Sequence, residues 1–243
     1  MTVLTKITVL ETKLYLREPV SVLLVLGLPL GLLIVFGSIG MGEESTDDGI
    51  SAGFLPSMTL ALSVAMLGLS VLPTVLATYR ERGILRRMRT TPVHPSNLLN
   101  AQLLLNIGMA SVAAVLVLGV GAAFFDLGWP ENGPAFLLSY VLMTAALLSI
   151  GLVIAAVAKT TKFATGAGLL LFFPSMFFAG VWTPGDLMSE WARPVRAVSP
   201  MGAGMESIQA AWAGAWPDPL NVLALVVVTV VAGVVAARLF RWE

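Results

Sequence analysis

Six long apolar stretches divide this chain of 243 residues into short polar segments. A helix rises about 1.5 Å per residue, so about 20 apolar residues cross a hydrocarbon core of about 30 Å. None of the six stretches contains Asp, Glu, Lys, Arg or His. Because backbone groups in lipid must pair internally, we predict an all-α integral membrane protein with six transmembrane helices. The predicted spans are about 20–39, 54–78, 98–124, 134–158, 163–181 and 219–237.

The charges of the polar segments alternate in sign along the chain. The basic segments hold 12 of the 14 Lys and Arg residues, and they are 1–19, 79–97, 159–162 and 238–243. The acidic segments hold 10 of the 14 Asp and Glu residues, and they are 40–52, 126–133 and 182–218. The positive-inside rule assigns the basic segments to the cytoplasm. Both termini of this multi-pass chain are therefore predicted to be cytoplasmic.

Composition supports a lipid bilayer as the surroundings. The chain is 57% hydrophobic and 12% charged, whereas soluble domains carry about 25% charged residues. It has no cysteine, which excludes disulfides and thiolate metal sites. Charged residues such as Glu11 and Lys13 precede the first apolar stretch, so we expect no cleavable signal peptide.

Residues 3–17 follow a pattern of their own. Val3, Ile7, Leu10 and Leu14 fall on one helical stripe, with polar side chains on the rest of the circumference. This spacing predicts an amphipathic helix that lies along the inner leaflet before the first span. A frayed terminus is the alternative.

The longest segment between spans is 182–218, which is rich in Trp, Pro, Gly and Ala. Its middle part, 203–213, has a helical pattern but is too short to cross a membrane. The composition leaves two interpretations open. The segment forms short helices that re-enter the membrane, or it is an ordinary external loop.

The chain lacks the residues of a nucleotide-hydrolysing site. A P-loop needs Gly-Lys followed by Ser or Thr, and no glycine precedes any of the four lysines. The only histidine, His94, lies in a proline-containing loop. We therefore predict no catalytic residue and no metal site. The spans also lack the ionisable side chains that bind a coupling ion, so energy for uphill transport is expected to come from another subunit.

The segment 79–97 carries more arginines than any other part of the chain. Five arginines and Glu81 fall within residues 79–89. Ile84 and Met88 stand one helical turn apart, which gives a short helix an apolar face within a charged rim. Such a helix fits the docking of a soluble partner and also fits anchoring to anionic lipid. Composition favours neither.

The sequence from Arg80 to Pro92, RERGILRRMRTTP, resembles the loop between spans two and three of ABC type-2 transporter permeases. That loop typically reads Glu-Arg-Gly-Thr-Leu-x-x-Leu-x-Thr-Thr-Pro, so Ile84 and Met88 are mild departures. A second match to the family, around the fifth span, comprises Phe173-Pro174-Ser175, Ala179-Gly180, Thr183-Pro184 and Ser199-Pro200. The six spans and the length agree as well, and the likeness is greatest to the drug-efflux branch.

The resemblance implies a permease subunit of a bacterial plasma-membrane exporter, of the kind that confers antibiotic resistance by efflux. Two such subunits, identical or paired with a sister, would form the pore. Two copies of a separate subunit would bind ATP and Mg and hydrolyse the ATP, so this chain needs no cofactor of its own. No nucleic-acid partner is expected.

The resemblance also assigns roles to segments of a single membrane domain, 1–243. Segment 3–17 would be the elbow helix, and 185–213 would be re-entrant helices that close the outer mouth. The segment 79–92 would be the coupling helix set against the ATPase. Its coupling residues would be Arg80, Glu81, Arg82, Gly83, Ile84, Leu85, Arg86, Arg87 and Met88.

Met and Phe side chains in the spans are candidates to line a path for a hydrophobic substrate, such as a drug, an antibiotic or a lipid-like molecule. They are Met58, Met66, Met143, Phe172, Phe173, Met176 and Phe177. Packing or contact with lipid is the alternative for each of them. Other functions also stay open for the chain: a polysaccharide-exporting permease, a channel or passive carrier that needs no nucleotide, and a structural subunit of a membrane complex.

Overall fold

The computed structural model describes residues 3–39, 53–84, 87, 96–182 and 188–239. Within these ranges the regular elements are helices, and six of them are long and apolar enough to cross a membrane, which confirms the predicted fold class. In chain order the helices are α1 (Val3–Leu16), α2 (Pro19–Ser38), α3 (Phe54–Glu81), α4 (Ser96–Phe124), α5 (Gly133–Val157), α6 (Thr161–Phe178), α7 (Arg193–Val198), α8 (Pro200–Trp212) and α9 (Pro219–Leu239). The six candidate spans are α2 to α6 and α9.

The second span, α3, forms the centre of the bundle. It packs against α2, α4, α5, α6 and α8, whereas α9 packs mainly on α5 and α8. Every residue from Phe54 to Ala65 is buried. The hydroxyls of Ser57, Thr59 and Ser63 donate to carbonyls of the preceding helical turn at 2.8 to 3.1 Å. Small side chains with internally satisfied hydroxyls let neighbouring helices approach α3 closely.

Two spans widen into π-helix just before a proline. The π segments are Leu23–Gly27 in α2 and Met66–Val71 in α3, and Pro29 and Pro73 follow them. Proline has no N–H, and its ring crowds the carbonyl four residues back. The wider turn accommodates that crowding, and such π segments are frequent at functional sites.

The π segment of α3 exposes two backbone carbonyls to neighbouring helices. The N–H of Leu72 is directed to the Leu67 carbonyl, five residues back. The Gly68 carbonyl thereby loses its ordinary helical donor, and the Leu69 carbonyl lacks its own because Pro73 has no N–H. Gly151 of α5 lies against the Gly68 oxygen, and Gly168 of α6 lies against the Leu69 oxygen. Close Cα–H···O contacts of this kind recur between packed helices.

The short helix α8 runs antiparallel beside the first half of α5. The Trp212 ring packs edge-on against Phe136, with ring centroids 5.7 Å apart. Further along, Gly204 lies against the Met143 side chain. The helix thus follows α5 from near its start to about its tenth residue. Its position relative to a bilayer, and with it the predicted re-entrant arrangement, stays a prediction.

A chain of polar contacts joins the two short helices to α3. The buried Arg196 of α7 lies 4.0 Å from Glu206 and donates to the Gln209 side-chain oxygen at 3.3 Å. The Gln209 amide in turn donates to the Ser57 hydroxyl at 3.1 Å. A buried cation is stable only where such partners surround it, so this chain fixes how α7 and α8 sit on the bundle.

The first helix packs on α4 through a face other than its apolar stripe. Glu11 and Tyr15 are its buried residues. Val3, Leu10 and Leu14 of the predicted stripe are exposed. An exposed apolar stripe beside a membrane span fits contact with lipid. The helix itself is therefore present, whereas its predicted place along the inner leaflet stays a prediction.

Candidate functional site

The second span ends in a glycine cap at the base of segment 79–97. The Arg82 N–H donates to the Thr78 carbonyl at 3.0 Å, and the Gly83 N–H donates to the Arg80 carbonyl at 2.9 Å. Gly83 has a φ of 66°, in the left-handed region that glycine adopts without strain. The Arg87 N–H then donates to the Gly83 carbonyl at 3.1 Å, which begins a new helical turn. The glycine is thus the joint between α3 and the segment that follows.

Tyr79 connects the end of α3 to the first helix. Its hydroxyl donates to the Glu11 Oε2 at 2.6 Å, and Gln102 of α4 donates to the same oxygen at 2.6 Å. Tyr79 precedes the loop between α3 and α4 and Gln102 follows it. A single carboxylate of α1 therefore accepts hydrogen bonds from residues that precede and follow that loop.

Arg80 connects the end of α3 to the end of α5. Its Nη1 donates to the Ala155 carbonyl at 2.7 Å and also to the Ala158 carbonyl. The last carbonyls of a helix lack internal partners and carry the negative end of its dipole. Arg80 therefore supplies hydrogen-bond donors to these carbonyls and a positive charge to the negative end of the α5 dipole.

Glu81 connects the end of α3 to the start of α6. Its Oε2 accepts from the Thr161 N–H at 2.9 Å and from the Thr161 hydroxyl at 2.7 Å. The Thr160 hydroxyl also caps this helix, accepting from the Phe163 N–H at 3.2 Å. A carboxylate at a helix N-terminus is favourable because the first N–H groups and the helix dipole attract negative charge.

Three consecutive residues thus bond directly to α1, α5 and the start of α6 at one end of the bundle, and they reach α4 through Glu11. We call Tyr79, Arg80 and Glu81 the hub, and we call the end of the bundle where it lies the basic end. The positive charge of Arg80 lies at the negative C-terminal end of the α5 dipole. The negative charge of Glu81 lies at the positive N-terminal end of the α6 dipole. A displacement of the segment that follows α3 would therefore act on α1, α4, α5 and α6 together.

The structure gives the predicted coupling residues different surroundings. Arg80 and Glu81 make contacts within the chain, so they form the root of the segment rather than its tip. Arg82 and Arg87 are exposed, and Ile84 is half-buried. Leu85, Arg86 and Met88 lie outside the described residues. Sequence reasoning missed Glu11, Tyr79, Gln102 and Thr161, because residues far apart in the sequence give no sign that they meet.

The predicted substrate-path residues do not share one surface of the chain. Met58, Met143, Phe172 and Met176 are buried in the core, and Met66 is half-buried against it. Phe173 and Phe177 are exposed on α6. In a single chain these residues therefore lie on different surfaces, and the role of each in lining a substrate path stays a prediction.

Comparison with known proteins identifies the family to which this arrangement belongs. The family model for ABC-2 type transporters matches residues 3–212, from the first helix through α8. The chain belongs to the ABC-2 type transporter family. No curated protein and no solved structure matches it. As an ABC-2 membrane domain with six apolar spans, the chain is a multi-pass permease component rather than a catalytic domain.

Membership of the ABC-2 family gives the hub its context. ABC-2 permeases normally work with an ATP-binding subunit and a membrane partner. The match includes α1, α8 and the segment that follows α3, whereas α9 lies beyond it. The helices that the hub connects therefore all belong to the matched part of the chain.

The buried carboxyl of Glu11 makes the attachment of α1 sensitive to pH. Burial raises the pKa of Glu11 above its ordinary value of 4.5, and the hydrogen bonds from Tyr79 and Gln102 oppose part of the shift. The charged form thus costs more in the folded protein than in the unfolded chain. The stability that Glu11 contributes is present below its ordinary pKa and is lost as the pH rises through the raised pKa.

We predict that the melting temperature of the wild-type chain falls relative to that of Glu11→Gln as the pH rises from about 4. The glutamine does not titrate, yet its side-chain oxygen still accepts from Tyr79 and Gln102. The measurement is thermal unfolding of both proteins in a neutral detergent across this pH series. A difference that stays constant with pH would contradict the prediction.

Proposed function

We propose that this chain is the membrane subunit of an ATP-driven exporter in the bacterial plasma membrane. The observation that carries the proposal is the hub, where residues 79–81 hold the ends of α5 and α6 and bind α1 and α4 through Glu11. A soluble ATPase that pushed on the segment beyond Gly83 would move several spans at once. Family membership supports the same role.

The energy source is proposed to be a separate subunit. The sequence contains no Gly-Lys pair from which a phosphate-binding loop could be built. Two copies of an ATP-binding subunit would dock on the exposed part of the segment that contains Arg87. Two membrane subunits, as a homodimer or with a sister chain, would form the pore. The basic end would then face the cytoplasm, together with both termini.

The proposed substrate is a hydrophobic small molecule, such as a drug, an antibiotic or a lipid-like compound. Support comes from α6, which has a broad apolar exposed surface that includes Leu170, Phe173 and Phe177. Exposed aromatic and leucine side chains bind apolar molecules without specific polar contacts. The same surface also fits contact with lipid or with the second membrane subunit.

Reconstitution in vesicles tests the proposal against a passive carrier. The chain would be incorporated alone and together with an ATP-binding partner subunit, with a fluorescent hydrophobic dye as the probe. We expect dye movement only with both subunits and ATP, and no movement with a non-hydrolysable analogue. Equal flux from the chain alone without nucleotide would overturn the proposal in favour of a channel or passive carrier.

A further inference from the structure

A cavity of about 590 Å³ lies at the basic end, between the first helix and the spans. Its walls come from α1, α2, α3, α4 and α6. The volume lies within the range of about 300–1,000 Å³ that is common for ligand pockets. None of the predicted coupling residues except Arg82, and none of the predicted substrate-path residues, lines this cavity.

Arg17, Glu18 and Arg82 line the cavity where helices end, and Glu11, uncharged polar side chains and aliphatic side chains line the rest. Arg17 lies in the turn between α1 and α2, and Arg82 lies just past the end of α3, so the two arginines line the cavity where helices end. The aliphatic lining residues are Leu14 of α1 and, in the spans, Leu24, Val71, Val75 and Leu105. A site with this division of polarity suits a molecule with a charged head and an apolar tail.

Two carboxylates, Glu11 and Glu18, also line the cavity, and both accept hydrogen bonds within the chain. The Glu11 carboxylate already accepts from two side chains, and the Glu18 carboxylate accepts from the Ser21 hydroxyl at 3.3 Å. Within the described part of the chain, no carboxylate lies within 4.0 Å of the Arg17 or Arg82 guanidinium. Guanidinium groups bind phosphate and carboxylate groups strongly. The head group that fits is therefore an anion.

Two leucines line the side of the cavity formed by α1 and α2. They are Leu14 and Leu24, and both are exposed in the single chain. On the inner wall, the hydroxyls of Thr74 and Thr165 lie 3.4 Å apart and bridge α3 to α6. An apolar tail can lie along the aliphatic side chains of the spans while the head group stays at the arginines.

We propose that this cavity binds an anionic amphiphile, with its head group on Arg17 and Arg82 and its apolar tail along Leu24 and Val75. Membrane phospholipids with an anionic head group are one source of such a molecule, and soluble amphiphilic anions are another. The site does not depend on the proposed ATP coupling. It can therefore be tested on the purified chain without an ATP-binding subunit.

The experiment measures ligand binding to the full-length chain in a neutral detergent by native mass spectrometry. The probes are dihexanoyl phosphatidylglycerol, dihexanoyl phosphatidylcholine, glycerol 3-phosphate and N-lauroylsarcosine. We expect the phosphatidylglycerol to bind at least about tenfold more tightly than the phosphatidylcholine and than glycerol 3-phosphate. Binding of lauroylsarcosine would extend the site to soluble amphiphiles, and its failure to bind would restrict the site to lipids. Both results support the proposal.

Three variants distinguish binding in the cavity from nonspecific electrostatic attraction to the basic surface of the protein. Arg17→Gln combined with Arg82→Gln should weaken phosphatidylglycerol binding about tenfold or more. Val75→Phe should weaken it similarly by filling the cavity without changing the charge. Lys6→Gln combined with Lys13→Gln removes two exposed charges of α1 outside the cavity lining and should leave binding unchanged.

Several results would overturn the proposal. Equal affinity for phosphatidylcholine would exclude an anion site, and equal affinity for glycerol 3-phosphate would exclude an amphiphile. Unchanged binding by Val75→Phe would place the ligand outside the cavity. If the double arginine variant does not fold, the Val75→Phe result still decides, because that variant keeps both arginines.

Discussion

Replacing Glu81 by alanine in the assembled transporter is expected to lower substrate-stimulated ATP hydrolysis about fivefold or more, which is the lower end of ordinary coupling between sites. The Glu81 carboxylate accepts both the N–H and the hydroxyl of Thr161, and it thereby joins the end of α3 to the start of α6. Without this carboxylate, a displacement of the segment after α3 is no longer transmitted directly to α6. The measurement is ATP hydrolysis by reconstituted complexes with and without substrate.

A second variant distinguishes this internal contact from direct docking of Glu81 on the ATPase. Thr161→Val removes the hydroxyl that bonds to Glu81 and leaves the carboxylate in place. If the contact between the two helices carries the force, Thr161→Val should reproduce part of the loss. If Glu81 touches the ATPase instead, Thr161→Val should have normal coupling. Glu190→Ala removes an exposed carboxylate from an acidic segment and should have no effect.

Replacing Gly168 by alanine should destabilise the helix bundle by about 1–3 kcal/mol, the usual cost of overpacking. A Cβ at this position overlaps the Leu69 carbonyl oxygen, and that atom belongs to backbone that cannot rotate away. The overlap would force α6 away from the π segment of α3. The expected result is a lower melting temperature in detergent and weaker coupling in the assembled transporter.

The same helix supplies the control. Gly166 stands two residues earlier, and a Cβ built on it meets nothing within 4 Å. Gly166→Ala should therefore leave stability unchanged or raise it slightly, since alanine favours helix over glycine by about 1 kcal/mol. Equal destabilisation by both substitutions would contradict the prediction, because only at Gly168 does an added Cβ meet the Leu69 carbonyl.

The spans could be predicted from the sequence because crossing lipid constrains every residue of a segment in the same way. About 20 uncharged apolar residues in a row have few alternatives to a membrane helix. The widened turns were harder to foresee, although Pro29 and Pro73 were visible in the sequence. A proline in a span permits a kink or a π segment, and hydropathy does not distinguish them.

The contacts at the basic end could not be predicted for a different reason. Arg80 and Glu81 were identified as functional from a local motif, and a local motif does not reveal that their partners lie near residues 155 and 161. Periodicity predicted the apolar stripe of α1, but it does not reveal which other face of the helix packs on the bundle. The face packed on α4 holds Glu11, and a buried carboxylate is stable there because Tyr79 and Gln102 donate to it.

Cross-linking from the segment after α3 tests the central claim most directly. The chain has no cysteine, so a single one can be introduced without removing others. In the complex with the ATP-binding subunit, Arg87→Cys should cross-link to that subunit, and Trp216→Cys, which is exposed on the acidic segment 182–218, should not. Labelling of Arg87→Cys from outside intact cells, or cross-linking from Trp216→Cys alone, would contradict the account.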